Sequence, residues 1–252
     1  MKTAVVTGAS SGLGREFVRS IQKAMPEIEC FWLIARRREK MEALVSELGL
    51  KNVLILPLDL CSEESFRVYA EKLAAEKPEI RMLVNNAGWG FLGNVEELPP
   101  ETWNKTIDLN VKALTEMTAL SLPYMAAGAH IINVSSIASF CANPRMTVYS
   151  STKAYVSSFT LGLREELRPR HIGVTAVCPG PMATEFTSVG KIDGNSKMFE
   201  TLPPCDPAKV AEGTIKAALK GKTFYTPRSF FKFYRFVAKV VPHTALVKIT
   251  KT

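Results

Sequence analysis

The sequence predicts one doubly wound α/β domain, a mainly parallel sheet with helices on both faces. Three observations carry this expectation. Short Val/Ile/Leu-rich runs alternate with longer amphipathic ones, a glycine-rich turn follows the first run, and no linker divides the chain. A chain of 252 residues suits one large domain, which buries roughly three-quarters of its unfolded surface.

Strands are expected at Thr3–Thr7, Cys30–Ala35, Val53–Pro57, Met82–Asn85, His130–Val134 and Gly173–Val177, whose aliphatic content suits a sheet covered on both sides. Helices are expected near Leu13–Ala24, Glu39–Leu48, Glu63–Glu76, Pro100–Met125 and Val148–Leu167. Another starts after Asp206 and Pro207, a cap followed by a first-turn proline, and runs to Leu219. Thr184–Pro204 has no period and contains Gly190, Gly194, Pro203 and Pro204, so it reads as a mobile loop over a site.

Composition excludes several classes. With 46% hydrophobic and 22% charged residues, the chain is neither disordered nor a repeat array. Cys30, Cys61, Cys141, Cys178 and Cys205 are scattered and lack C-x-x-C spacing, which favours reduced thiols over a disulfide framework or a metal site. The start, MKTAVVTGAS, is too short an apolar run for a signal peptide, and no stretch reaches the ~18 apolar residues of a membrane span. A cytoplasmic protein is expected. The net charge of +8 is concentrated in Lys222, Arg228, Lys232, Arg235, Lys239, Lys248 and Lys251, with no acid after residue 221. The charge therefore marks one basic terminal segment rather than a globally basic nucleic-acid-binding surface, and no nucleic-acid partner is expected.

The first strand runs into Thr7-Gly8-Ala9-Ser10-Ser11-Gly12-Leu13-Gly14, which opens a helix. Strand, tight glycine turn and helix N-terminus together make a pyrophosphate cradle, because the backbone can approach the phosphates and free N–H groups meet their charge. A tight turn without a ligand would use the same glycines. The second strand ends Leu33-Ile34-Ala35-Arg36-Arg37-Arg38. An acid near this point would bind the adenosine ribose hydroxyls of NAD. Here Ala35 removes that carboxylate and Arg36 offers a planar donor fork to a 2′-phosphate, with further charge from Arg37 or Arg38. The cofactor expected is NADP(H).

Tyr149 and Lys153 stand four apart on one face of a predicted helix, and Ser136 ends a strand thirteen positions earlier. A phenol of ordinary pKa ~10 exchanges protons poorly near neutrality. A neighbouring ammonium would lower that value and make Tyr149 a general acid/base, with Ser136 holding the substrate oxygen. Taken singly, each residue would be unremarkable surface or packing.

Together these motifs resemble the short-chain dehydrogenases/reductases, of the Rossmann fold type, over roughly Lys2 to Leu219. The resemblance rests on Thr7-Gly8-x-x-x-Gly12-x-Gly14, Asp59, Asn85-Asn86-Ala87-Gly88, Asn110, Ser136, Tyr149-x-x-x-Lys153 and Pro179-Gly180 followed by Thr184. It implies an oxidoreductase with a catalytic tetrad of Asn110, Ser136, Tyr149 and Lys153. Tyr149 would protonate the carbonyl oxygen, Lys153 would bind the nicotinamide ribose, and Asn110 would hold a water on a proton path. It places cofactor contacts at Gly8, Ser10, Ser11, Gly12, Leu13, Gly14, Arg36 and Arg37. Further contacts fall at Asp59, Leu60, Asn86, Ala87, Gly88, Tyr149, Lys153, Pro179, Gly180, Met182 and Thr184. Residues 1–221 would form the dinucleotide-binding and catalytic unit, and 222–252 a basic aromatic extension of the same domain. No metal is implied. A homodimer or homotetramer would form through the helices Pro100–Met125 and Val148–Leu167. Two departures from the pattern are Ser139, where many members carry glycine, and the bulky Trp89.

Phe186, Val189, Met198 and Phe199 in the loop imply a partly apolar pocket, which suits a steroid, a bile acid or a fatty acyl ketone. The tail, with rings and cations interleaved from Phe224 to Phe236, has three readings: packing against the domain or a partner, contact with anionic lipid, or nucleic-acid stacking. Rival functions are an NADP(H)-binding redox sensor and a membrane-docking platform, both without turnover.

Overall fold

Strand and helix alternate from the first residues in the computed structural model, which describes residues 1–190, 192, 194–196 and 200–250. The elements in order are β1 (Lys2–Thr7), α1 (Gly12–Ala24), β2 (Cys30–Ala35), α2 (Arg38–Leu48), β3 (Val53–Pro57), α3 (Glu63–Glu76) and β4 (Glu79–Asn85). Then come α4 (Pro100–Ile107), α5 (Ala113–Ser121), β5 (His130–Val134), α6 (Thr147–Leu167), β6 (Gly173–Val177) and α7 (Glu185–Val189). The chain continues with α8 (Pro207–Leu219), β7 (Phe224–Tyr225), α9 (Ser229–Val240) and α10 (His243–Leu246).

The strands lie in the order β3-β2-β1-β4-β5-β6-β7, and every neighbouring pair is parallel. Such a sheet needs cover on both faces, and every residue of β2 is buried. One face packs Phe17, Ile21, Leu33, Val84, Val210 and Ile215 beneath α1 and α8. The other packs Trp32, Tyr69, Leu83, Met117 and Leu163 beneath α3, α5 and α6. Trp32 meets Tyr69 edge-on at 6.0 Å between ring centres, and the Tyr69 hydroxyl pairs with Ser121 Oγ at 2.8 Å.

Two expectations need correction. The helix expected over Pro100–Met125 is broken by a π-helical turn, Asp108–Lys112, and ends in a 3₁₀ turn, Leu122–Tyr124. Widened turns of this kind mark positions where a helix re-aims a side chain, and Asn110 sits at its middle. The span Thr184–Pro204 is not structureless, because α7 lies within it with Thr184 as its cap, the hydroxyl accepting from Phe186 N at 3.4 Å. Met198 and Phe199 fall outside the described residues. The cap at Asp206 forms as expected, with Oδ1 accepting from Ala208 N at 2.9 Å.

All five cysteines are free. Among the described residues no helix is long and apolar enough to cross a membrane, and no group of acids, histidines and cysteines has metal-binding geometry.

Candidate active site

The strand order reverses between β1 and β4, and in an open parallel sheet a crevice forms there beyond the strand ends. Its floor is braced by one hydroxyl. Thr7 Oγ1 donates to Val84 O at 3.2 Å and accepts from Asn86 N and Ala87 N at 2.9 and 3.0 Å. Asn86 Nδ2 returns a bond to Thr7 O at 2.9 Å. Gly8 turns the chain with φ of 67°, where a Cβ would also lie 2.6 Å from Asn86 Nδ2. The cap of α1, Ser11, makes no side-chain bond to the helix, and the first turn holds no acid. Its N–H groups are left to an anionic ligand.

A buried polar ladder fixes the next two strand ends. Asn85 Nδ2 donates to Asn133 Oδ1 and Thr118 Oγ1, both at 2.9 Å, and Asn133 Nδ2 donates to Thr160 Oγ1 at 3.0 Å. These bonds tie β4 and β5 to α5 and α6, so the segments starting at Asn86 and Ser135 leave the sheet from a rigid base.

Above the crevice lies a cavity of about 390 Å³. Of the expected contacts, Gly8, Ser10, Ser11, Gly12, Leu13, Arg36, Arg37, Asp59 and Leu60 border it. Asn86, Ala87, Gly88, Ser136, Tyr149, Lys153, Pro179, Gly180, Met182 and Thr184 border it as well. Gly14 and Asn110 do not. A Cβ on Gly14 would lie 2.1 Å from Gly8 O, so this glycine lets α1 seat against the turn rather than touching a ligand. Asn110 stands behind the wall: Oδ1 accepts from Trp89 N at 3.0 Å, while Nδ2 donates to Trp89 O at 2.8 Å and Thr152 Oγ1 at 3.0 Å. Its side chain holds the strand-end segment to α6.

Tyr149 and Lys153 share the buried face of α6. Lys153 Nζ donates to Val134 O at 2.8 Å and lies 5.7 Å from the Tyr149 ring centre. Ser136 caps a short 3₁₀ turn, Ile137–Ser139, by accepting from Ala138 N at 3.1 Å. The lowering of the phenol expected from its ammonium neighbour is not observed. Burial pushes Tyr149 up to about 12, offset only in part by the Ser136 hydroxyl, and burial pulls Lys153 down to about 8. Desolvation penalises both charged forms and is the largest influence on each.

The cationic end holds four contacts that the sequence concealed. The Arg36 guanidinium lies 5.5 Å from the Trp89 ring centre. Arg37 Nη2 donates to Ser10 Oγ at 3.2 Å and to Glu185 Oε2 at 2.6 Å, and Lys40 Nζ donates to Glu185 Oε1 at 2.6 Å. These cations hold the Glu185 carboxyl down at about 2. Glu185 is 148 residues from Arg37, beyond any local pattern.

The other end of the cavity was also only partly visible. Phe186 and Val189 line the cavity as expected, but so do Met146, Leu202, Phe230, Tyr234 and Thr250. The tail therefore forms part of the wall. Asn143 borders the cavity, and its Nδ2 donates to Thr250 O at 3.2 Å, while its Oδ1 is fully buried with no partner among the described residues.

The profile of the short chain dehydrogenase family matches residues 2–192. An NADP-dependent 3-hydroxy acid dehydrogenase of Salmonella typhi is 35% identical over 219 residues, covering 82% of this chain and 85% of that protein. An uncharacterized oxidoreductase of Staphylococcus aureus is 28% identical, covering 86% of this chain and 90% of its own. Among solved structures, a serine dehydrogenase complexed with NADP+ superimposes with a TM-score of 0.76 at 31% identity, covering 88% of this chain and 94% of that one. A short-chain dehydrogenase from Sphingobium yanoikuyae, in complex with NADPH, shares the fold with a TM-score of 0.79 at 24% identity, covering 96% and 97%.

Proposed function

The chain belongs to the short chain dehydrogenases, a family of oxidoreductases, and on that premise we propose that it interconverts an alcohol and a ketone or aldehyde with NADP(H). The observation that carries this reading is one continuous cavity. Tyr149, Ser136 and Lys153 border it together with the glycine turn and two arginines.

The residues suit the cofactor. Gly8 shapes a cradle that a side chain would fill, and the start of α1 offers unblocked N–H groups to a pyrophosphate. Arg36 and Arg37 stand where the 2′-phosphate would need cations, and Ala35 puts no carboxylate beside them. Asp59, Leu60 and Asn86 to Gly88 would border the adenosine side, and Pro179, Gly180, Met182 and Thr184 the nicotinamide. Lys153 would bind the nicotinamide ribose. The relatives named for NADP support the choice. When bound, NADPH supplies the hydride for the carbonyl carbon, and NADP+ accepts it from the alcohol.

The chain's own groups handle the proton. Tyr149, raised to about 12, is protonated at neutral pH and can give its proton to a carbonyl oxygen. The Ser136 hydroxyl holds that oxygen in place. Asn110 acts by positioning Trp89 and Thr152, both of which it bonds.

At the substrate end the wall is largely apolar, with Met146, Phe186, Val189, Leu202, Phe230 and Tyr234. Such a lining favours an apolar carbonyl compound, as steroid and bile-acid ketones or fatty acyl ketones are. Exposed Ile107 on α4, with Tyr155 and Leu161 on α6, supports a homodimer or homotetramer.

The test is NADPH consumption with aldehydes, diketones, steroid and bile-acid ketones and acyl β-ketones. Turnover in one class is expected. Tyr149→Phe should lower it by about 10²–10⁴-fold with NADPH affinity nearly intact, while Arg36→Ala should weaken NADPH far more than NADH. Tight NADPH binding with no turnover of any carbonyl would instead establish a sensor.

A further inference from the structure

We propose that α9 is a docking surface for an anionic lipid bilayer. The helix has two apolar faces, and the domain uses only one. On the used face Phe231 and Ala238 are buried, and Tyr234 packs on Phe140 at 5.9 Å between ring centres. Arg235 clamps the same side, its guanidinium 4.0 Å from the Phe224 ring centre and 5.9 Å from that of Phe140.

The other face carries Phe230, Phe233, Phe236 and Val240, spaced three, three and four apart. They are 54%, 66%, 61% and 62% exposed. This spacing draws one stripe along the helix. Ile249, 75% exposed, adds a further apolar group just before Thr250, whose carbonyl and hydroxyl bond Asn143 and Ala142 of the domain. A row of exposed phenylalanines marks a contact site, since scattered apolar side chains do not align in this way.

Charge identifies the occupant. Exposed Lys232 and Lys239 flank the stripe, and residues 222–252 carry seven cations and no acid. Aromatic side chains beside lysines on one helix suit the headgroup layer of an anionic bilayer. A second copy meeting the stripe across a two-fold axis would oppose two strongly basic tails, at a repulsive cost. Phe230 also borders the cavity, so docking would turn the cavity mouth toward the bilayer. An apolar substrate dissolved there would have a short path in.

Flotation of the full-length protein with phosphatidylglycerol/phosphatidylcholine vesicles and with phosphatidylcholine vesicles tests the proposal without any turnover, so it stands apart from the proposed reaction. Binding to the anionic vesicles alone is expected. Lys232→Gln with Lys239→Gln should weaken it by about thirtyfold. Phe233→Gln with Phe236→Gln should weaken it by at least about tenfold, with the melting temperature unchanged. Wild-type protein that does not float with anionic vesicles overturns the proposal, as does equal flotation of all variants. A phenylalanine variant that floats normally but loses an oligomer in light scattering would assign the stripe to a second copy, also against it.

Discussion

Gly90→Ala should disable the proposed chemistry without replacing any residue assigned to it. A Cβ at Gly90 would stand 2.4, 2.8 and 3.0 Å from Cδ2, Cγ and Cε2 of Tyr149. Ordinary contact begins near 3.4 Å, so one partner must retreat by about 1 Å. The backbone at Gly90 has little freedom: a Cβ on Gly190 would meet Gly90 O at 2.3 Å, and Leu92 N bonds Gly190 O at 3.1 Å. The ring must therefore move, although it is buried with Phe186 5.5 Å away. Overpacking of this kind costs about 1–3 kcal/mol of stability, or roughly 2–12 °C in Tm for a domain of this size. A phenol misplaced by about 1 Å costs about 10²-fold in turnover. Steady-state NADPH oxidation on the best carbonyl substrate gives kcat, and fluorescence titration gives the Kd for NADPH. The expected result is kcat down about 100-fold with Kd within about threefold. A folded Gly90→Ala protein with kcat within about a factor of two of wild type would refute the assignment of Tyr149 as proton donor.

Two further outcomes follow from charge. Glu185→Gln frees Arg37 and Lys40, and because exposed ion pairs are each worth little, NADPH should bind only about three- to tenfold tighter. NADH should gain much less; an equal gain for both in titration would show that Glu185 does not compete with the 2′-phosphate. Lys153→Met should abolish turnover yet raise Tm at pH 7 by about 2–8 °C, as removal of a buried ammonium is worth about 1–2 kcal/mol. The folded pKa of Lys153 is depressed to about 8 from 10.5, so the unfolded chain binds the extra proton between these values and wild-type stability from this group rises with pH across them. The advantage of the variant should accordingly shrink from pH 8 upward in thermal scans, and an advantage constant from pH 7 to 10 would disprove the buried charge.

Most of the sheet was legible because its strands are short apolar runs bounded by turn residues. β2, β3, β5 and β6 begin and end where composition places them. β7 was missed, since two residues, Phe224 and Tyr225, join the sheet edge only through pairing with Ala176 and Val177. The break in the helix at Asn110 has no proline or glycine to announce it; it follows from bonds to Trp89, which a local pattern cannot contain. At the site, local spacing revealed Tyr149 with Lys153 and the turn from Gly8 to Gly12. Glu185, Asn143 and Thr250 escaped because each acts through a partner distant in sequence.

The reacting centre shows why residue types alone misjudged its electrostatics. A phenol four residues from an amine on one helix face suggests mutual stabilisation of charge, and in water that would hold. Burial reverses it: the amine loses hydration and gains the Val134 carbonyl, a neutral acceptor that replaces only part of that hydration. The phenol, with Ser136 beside it, stays neutral well above physiological pH. Both shifts run in one direction, toward a protonated Tyr149, which is the state that the proposed reduction needs. Alcohol oxidation needs the opposite state of the phenol, and therefore an additional anionic or hydroxyl partner that keeps Lys153 charged beside it. The sugar hydroxyls of a dinucleotide are groups of that kind, and on the proposed reading cofactor binding and acid strength at Tyr149 would be two aspects of one equilibrium.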